Sequence, residues 1–276
     1  MSQVIAVSNQ KGGVGKTTTV INLATVLATR KKTVLVLDLD PQANATSGLG
    51  VEPKPGVSLY KALVDLENLN DVIVGTTIEN VNIIPSEVDL AGAEVEIARM
   101  DDHLHGLQKV LDPIIAQKVF DYIIIDCPPS LGILMSNALA ASDSVLIPMQ
   151  CEYYAMEGLS VISGLVERIR LSGANVRLRI EGILMTMYSR TKLADEVIEQ
   201  VRAHYGDSVY NTVIPRSIRA AEAPSFGLPV VAYAPTSTVA EGYFAFGEEF
   251  LKREKAREIA ANKVDLPPAP RSSGFA

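Results

Sequence analysis

Residues 9–18, which read NQKGGVGKTT, carry the side chains best suited to chemistry. Glycines let backbone N–H groups converge on phosphate oxygens because no Cβ stands in the way. A following lysine can contact the terminal phosphates, and a threonine hydroxyl can bind Mg²⁺. The string therefore predicts a loop that binds ATP with Mg²⁺, through Lys11, Gly12, Gly13, Val14, Gly15, Lys16, Thr17 and Thr18.

The loop departs from the common GxxxxGK[ST] pattern at its start. The first glycine of that pattern would be residue 10, which is Gln10 here, and a second lysine, Lys11, follows it. Lys11 is either a solvated loop charge or a second phosphate ligand. Because Lys16 already fills the local role, the second interpretation favours delivery of Lys11 to a nucleotide on another subunit.

Carboxylates end two of the apolar runs. Asp38 and Asp40 lie in the string DLDPQ, and alternation along a strand places both on one side. Asp126 ends the run FDYIIID, a pattern typical of a carboxylate that holds Mg²⁺ through water. The turn-rich segment 127–132 follows directly and is suited to sense a γ-phosphate.

Strands and helices must position these residues. Short apolar runs predict seven buried strands, at 4–8, 33–37, 81–84, 122–125, 144–148, 180–185 and 209–214. Helical spacing predicts helices at 17–29, 130–141, 158–171 and 193–204, and a capping pattern at Thr238 and Glu241 precedes another at 243–252. The alternation predicts an α/β fold: one doubly wound, mostly parallel sheet with helices on both faces over residues 1–258. The Pro-rich segment 259–276 is expected to be a disordered tail.

The composition is that of an ordinary globular protein, with 47% hydrophobic and 21% charged residues among 276. A net charge of −7 argues against a whole-surface nucleic-acid binder, although a local basic patch is compatible with it. Cys127 and Cys151 form no CxxC pair, which favours reduced buried thiols over a metal site. No signal peptide or membrane-length apolar run is visible, so a cytoplasmic location is expected.

Five strings together resemble the ParA/Soj family of chromosome and plasmid partition proteins, within the deviant Walker A ATPases of the MinD/ParA superfamily: NQKGGVGKTTT, DLDPQANATSGLG, FDYIIIDCPPSLG, TMYSRT and IPRSIRAAEAPSFGLPV. They span residues 3 to about 250. The resemblance implies a nucleoid-associated homodimer that sandwiches ATP, binds DNA non-specifically and hydrolyses ATP when a ParB-type partner stimulates it.

The resemblance also implies roles for single residues. Lys11 is then the signature lysine that crosses the dimer interface, and Gly12 lies where the subunits meet. Asp40 positions the attacking water, while Asp38 supports the Mg²⁺ site. The resemblance assigns an adenine-facing wall to Met187, Pro215, Arg216 and Ser217, and DNA contacts to Arg190 and Arg219.

Some features depart from the family pattern. The string TMYSRT is one residue shorter than the usual TMYDxRT, and Ser217 replaces the usual Asn of IPRN. The sequence starts at its first strand, which favours the short, Soj-like type.

Other interpretations remain open. A MinD-like membrane-associated division regulator would need an amphipathic C-terminal helix, whereas residues 247–262 are heavily charged. A metabolic phosphotransferase or synthetase would need a small-molecule pocket. The basic residues Arg190, Lys192, Arg202, Arg216 and Arg219 could also be ordinary solvated charges.

Overall fold

The computed structural model describes residues 2–54, 56–64, 69–100, 102–152 and 155–264, without the side chains of 261–264. Across these residues one eight-stranded sheet has the order β3-β4-β2-β5-β1-β6-β7-β8, and all neighbours are parallel except the pair β3–β4. The strands are β1 Gln3–Val7, β2 Val34–Asp38, β3 Val74–Gly75, β4 Val81–Ile84, β5 Tyr122–Asp126, β6 Ser144–Gln150, β7 Arg179–Tyr188 and β8 Val209–Pro215.

Eleven α-helices lie in the described part of the chain. They are α1 Lys16–Thr29, α2 Asn44–Gly48, α3 Leu59–Val64, α4 Leu90–Ile97, α5 Gly106–Gln117, α6 Ile133–Ala140, α7 Ala155–Leu171, α8 Lys192–Tyr205, α9 Ile218–Glu222, α10 Val230–Tyr233 and α11 Thr238–Val264.

The seven strands expected from apolar runs are all present, and the predicted fold class is confirmed. The sequence did not reveal β3, because a strand of two residues is too short to show the alternation of apolar and polar side chains. Helices α2, α9 and α10 were missed for the same reason, since each has only four or five residues, and the longer helices α3, α4 and α5 were not predicted either.

Helices cover both faces of the sheet, as β5 illustrates. Its side chains alternate, so Ile123 and Ile125 pack in the cluster formed with α3 to α8. Tyr122 and Ile124 pack in the opposite cluster, with α1 and α11. Every residue of β5 is buried, which explains why the parallel strands read as continuous apolar runs.

The start of α11 differs from the predicted capping pattern. Ser237, not Thr238, caps the helix: its Oγ accepts the N–H of Ala240 at 3.4 Å, and its carbonyl accepts the N–H of Glu241 at 3.0 Å. The helix continues to Val264, so the expected boundary after residue 258 falls inside a helix. The rest of the expected tail, residues 265–276, lies outside the described residues.

The cysteines and the apolar helices can be compared with the sequence predictions. Cys127 and Cys151 are free and buried, as predicted. No helix in the described part of the chain is long and apolar enough to cross a membrane.

The order in which strands are added to the sheet changes direction at β1. From β1 it crosses to β2 on one side, whereas β6 later adds to the other side. The carboxyl ends of parallel strands at such a reversal form a crevice. Val7 and Asp38 are both register partners of Asp126, so the topology brings the loop after β1 and the aspartates of β2 and β5 to one crevice.

Helices α1 and α11 pack closely together in one of the two core clusters. A Cβ added to Gly247 would lie 2.4 Å from Cγ1 of the buried Val26. We expect Gly247→Ala to lower the free energy of unfolding by about 1–3 kcal/mol, measured by urea denaturation, because the helices must move apart. Gly164→Ala in α7 is the control, since its added Cβ meets nothing within 4 Å. Equal stability of the two variants would contradict the prediction.

Candidate nucleotide-binding site

Hydrogen bonds from neighbouring strands shape the phosphate loop. The Nδ2 of Asn9 donates to the carbonyl of Pro148 at 2.8 Å, while its Oδ1 accepts the N–H of Lys11 at 3.0 Å. The hydroxyl of Thr186 donates to the carbonyl of Val14 at 2.8 Å. With the loop carbonyls engaged from outside, its N–H groups can turn toward an anion.

The N-terminus of α1 opens directly into this loop. Gly15 has a φ of 85° and makes no side-chain cap, and the first turn holds no acidic residue. Gly13 also has a positive φ, 72°, which favours glycine at this position. The uncapped N–H groups and the positive end of the helix dipole therefore make an anion site.

Lys16 lies inside the loop and is only 7% exposed. Its ammonium donates to the carbonyl of Lys11 at 3.4 Å. Burial lowers the pKa of Lys16, although the nearby carboxylates of Asp126 and Asp40 act in the opposite direction. This desolvated cation is placed to contact phosphate oxygens.

Lys11 points away from its own loop. Its ammonium forms an ion pair with Glu152, and both side chains are about half exposed. Lys11 does not line the cavity that Lys16 lines. The two lysines of the loop therefore face different surroundings.

Two adjoining cavities lie at the crevice. The first, of about 450 Å³, is lined by Gly12, Gly13, Gly15, Lys16, Thr17, Thr18, Ile21, Asp40, Gln42, Asn44, Ser47, Pro129, Met187 and Pro224. The second, of about 340 Å³, contains all four residues of the expected adenine wall, Met187, Pro215, Arg216 and Ser217. Gly15, Thr18, Met187 and Pro224 line both, so a phosphate chain in one cavity can continue into a base in the other.

Asp126 is a fully buried carboxylate without a hydrogen-bond partner on either oxygen among the described residues. Burial, and then the charge of Asp38, raise its pKa well above the usual range, while the neighbouring Thr17 hydroxyl and Lys16 ammonium oppose the shift. An unpaired buried carboxylate is unfavourable unless a cation compensates it.

These groups fit a Mg²⁺ ion held jointly with phosphates. The described residues contain no cluster of three or more His, Cys, Asp or Glu that could hold a metal alone. Mg²⁺ usually keeps several waters and takes only one or two protein ligands beside substrate phosphates. Thr17 and the unpartnered oxygens of Asp126 match that requirement.

The other two aspartates have separate environments. Asp40 is 9% exposed and lines the first cavity, here named the phosphate cavity, where its Oδ1 accepts the N–H of Gln42 at 3.0 Å. Asp38 is fully buried and does not line that cavity. Burial raises the pKa of Asp38 to about 6, and hydrogen bonds from Thr46 oppose the shift.

The basic residues divide into two groups. Arg190, Arg216 and Arg219 are exposed beside the carboxyl ends of β7 and β8, where the N–H of Arg216 donates to the carbonyl of Tyr188 at 3.0 Å. Arg219 also pairs with Glu222 at 3.0 Å. Arg202 lies apart from them, beside a cleft of about 620 Å³ that is lined by Gly206, Asp207, Val209, Asn211, Arg253, Ala256 and Arg257.

Sequence reasoning missed several residues that shape the site. Thr46, Gln150, Glu152 and Thr186 were not singled out, although Thr46 and Thr186 lie within strings that carry the family resemblance. Gln150 donates to the carbonyl of Gly13 at 2.7 Å. Glu152 had no local signal, because its partner Lys11 lies 141 positions away.

Comparisons with known proteins agree with this geometry. A family model described as an AAA domain matches residues 2–180. The sporulation initiation inhibitor protein Soj of Bacillus subtilis is 49% identical, covering 95% of this chain and 100% of that protein. The chromosome-partitioning ATPase Soj of Treponema pallidum is 45% identical, covering 93% and 100%.

The fold also matches solved structures. Cobyrinic acid a,c-diamide synthase from Mycobacterium smegmatis, with bound ATP analogue and magnesium, superposes with a TM-score of 0.80 at 33% identity, covering 93% of this chain and 97% of that one.

The raised pKa values of Asp38 and Asp126 predict a pH effect on the nucleotide-free protein. A carboxyl whose pKa is raised by folding favours the folded state at low pH, and this contribution is lost as pH rises. For Asp38 the loss runs from about pH 4 to about pH 6. We expect the free energy of unfolding of Asp126→Asn, measured by urea denaturation, to fall less over this pH range, because the substitution removes a second carboxyl whose pKa is raised by folding.

Asp112→Asn is the matched control, since Asp112 is exposed on α5. It should reproduce the pH slope of the unsubstituted protein. An Asp126→Asn slope equal to that of the control would contradict the raised pKa of Asp126.

Proposed function

The chain belongs to the ParA/Soj family of partition ATPases, and on that premise we propose that it is an ATP-dependent dimerising switch in chromosome or plasmid segregation. ATP with Mg²⁺ closes a homodimer, the dimer binds DNA non-specifically, and a ParB-type partner stimulates hydrolysis to ADP and phosphate. The observation that carries this proposal is that the two lysines of the loop lie in different places: Lys16 lines the phosphate cavity of its own subunit, and Lys11 does not.

Gly12 supports the shared site. Its φ is not positive, and an added Cβ would meet nothing within 4 Å. Neither backbone conformation nor space inside this subunit therefore requires glycine at position 12. Gly12 lines the phosphate cavity, so the requirement would come from a molecule that approaches the loop closely, either the bound nucleotide or a facing subunit.

Lys11 is free to change partners. Its ion pair with Glu152 joins two half-exposed side chains, and such pairs contribute only about 0–1 kcal/mol. A phosphate of a nucleotide on the facing subunit offers more negative charge than one carboxylate. Lys11 can therefore leave Glu152 and reach across when the dimer closes.

The site residues divide the hydrolytic reaction among them. Asp40 orients the attacking water at the edge of the phosphate cavity. Lys16, Lys11 of the facing subunit and the loop N–H groups stabilise the charge that develops on the transferred phosphoryl group. Thr17 and Asp126 would hold Mg²⁺, which would supply neutralisation of phosphate charge.

The exposed arginines beside β7 and β8 are proposed to contact DNA. Arg190 and Arg219 provide positive charge on a protein whose net charge is −7. One patch gives weak attraction, whereas a dimer presents two patches at once, and the avidity makes binding depend on ATP. Arg219 must release Glu222 for this contact.

Two other functions are less well supported. Among the described side chains of α11, one large apolar side chain is exposed, that of Ile259. A MinD-like membrane interaction needs a continuous apolar face, which these side chains do not form. The synthase similarity comes at lower identity than the Soj relatives. A metabolic enzyme would need its acceptor substrate for turnover, whereas a switch responds to DNA and a partner protein.

The shared site predicts a specific order of assembly. With ATP and Mg²⁺, we expect Asp40→Ala to accumulate as a dimer of twice 29.7 kDa by light scattering, because hydrolysis can no longer release the subunits. Adding Lys11→Ala should return it to the monomer while ATP binding persists. Lys16→Ala, the comparison variant, should lose ATP binding itself. An ATP-bound Asp40→Ala monomer would refute the shared site.

The DNA proposal predicts a difference between two arginines. With ATP present, we expect Arg219→Ala to bind DNA at least about fivefold more weakly, with the slope of log K against log salt reduced by about 1–2 per dimer. Arg202→Ala is the control, because Arg202 lies beside a different cleft. Equal DNA affinity of Arg219→Ala and the unsubstituted protein at low salt would exclude the patch.

A further inference from the structure

The carboxylate of Asp38 accepts hydrogen bonds from both ends of the segment between β2 and α2. The Oδ2 of Asp38 accepts the N–H of Thr46 at 2.8 Å and the hydroxyl of Thr46 at 2.7 Å. Its Oδ1 accepts the N–H of Asp40 at 3.2 Å. Asp38 therefore connects the start of α2 to the backbone of the residue at the edge of the phosphate cavity.

The hydroxyl of Thr46 has a second contact. Its Oγ1 accepts the N–H of Ser86, just after β4, at 3.1 Å, and both residues are almost fully buried. Because a backbone N–H can only donate and the hydroxyl has one proton, that proton goes to Asp38. Thr46 thus joins Asp38 to the exit of β4 by hydrogen bonds of defined direction.

The orientation of Asp40 depends on the same segment. Its Oδ1 accepts the N–H of Gln42, and its carbonyl accepts the N–H of Ala43 at 2.9 Å. The side chain is therefore held by the backbone that follows it. Asp38 anchors that backbone at Asp40, and Thr46 anchors Asp38.

We propose that Thr46 is a positioning residue for ATP hydrolysis: through Asp38 it holds Asp40 at the angle needed to orient the attacking water. This rests on the proposed role of Asp40. Thr46 does not line either nucleotide cavity, so its hydroxyl acts on the reaction through Asp38 and not on the nucleotide.

Thr46→Val tests the hydroxyl selectively. Valine has nearly the same shape, and its backbone N–H still donates to Asp38. Only the two hydrogen bonds of the hydroxyl are removed, the one that it donates to Asp38 and the one that it accepts from the N–H of Ser86. Thr46→Ser keeps the hydroxyl and serves as the rescue variant.

Hydrolysis and binding should separate in this variant. We expect Thr46→Val to lower kcat at least about tenfold in the presence of DNA, because small displacements of a positioned group reduce rates strongly. The Kd for a fluorescent ATP analogue should stay within about twofold, since the phosphate loop is untouched. Thr46→Ser should restore kcat to within about twofold.

A matched control removes another buried threonine hydroxyl. Thr25 lies on α1 and lines neither cavity, and its hydroxyl donates to the backbone carbonyl of Ile21 at 2.8 Å. Thr25→Val should retain kcat even if its thermal unfolding temperature falls. If Thr46→Val does not fold, Thr46→Ala takes its place, since it removes the same hydroxyl together with the γ-methyl group and adds no atom to the buried site.

Three results would overturn the inference: unchanged kcat in the folded hydroxyl-free variant, a rise in Kd that matches the fall in kcat, or an equally impaired Thr46→Ser. An unsubstituted protein that hydrolyses no ATP with DNA and partner would instead refute the proposed function. The two failures are therefore distinguishable.

Discussion

The structure depends on the burial of charge at the carboxyl edge of the sheet. Asp38 and Asp126 are register partners on adjacent strands and are fully buried, and Lys16 lies beside them almost without solvent. Within the described part of the chain neither oxygen of Asp126 meets the geometric criteria of a hydrogen bond, although the Thr17 hydroxyl lies close enough to influence its pKa. Such an arrangement costs free energy in the empty protein, and bound nucleotide with a divalent cation offsets that cost.

The three aspartates show how position on the sheet divides their tasks. Asp126 has free oxygens beside Thr17 and suits a cation, whereas Asp40 faces the phosphate cavity. Asp38 lies deeper and uses its oxygens to hold Thr46 and the backbone of Asp40. A charged residue that makes only internal contacts can therefore matter to a reaction that it does not touch.

The exposed part of the loop is as informative as the buried part. Gly12 meets no atom that would exclude a side chain, and Lys11 rests on an exposed glutamate. No contact among the described residues of one subunit explains the exposed position of Lys11 or the open space at Gly12. These two observations give the proposed dimer a physical basis, because a facing subunit supplies close approach at Gly12 and a phosphate for Lys11.

The sequence by itself determined the phosphate loop, the fold class and the seven main strands. These features depend on local sequence. The glycines and lysine of the loop must lie within a few residues of one another to surround phosphates, and buried parallel strands must be apolar throughout. It also indicated Asp40 and Asp126 from their places at strand ends. Only the tertiary structure decided which side chains contact these groups and hold them in place. The contacts of Thr46 with Ser86 and of Lys11 with Glu152 join residues 40 and 141 positions apart, and the packing of a parallel sheet brings them together without a local pattern.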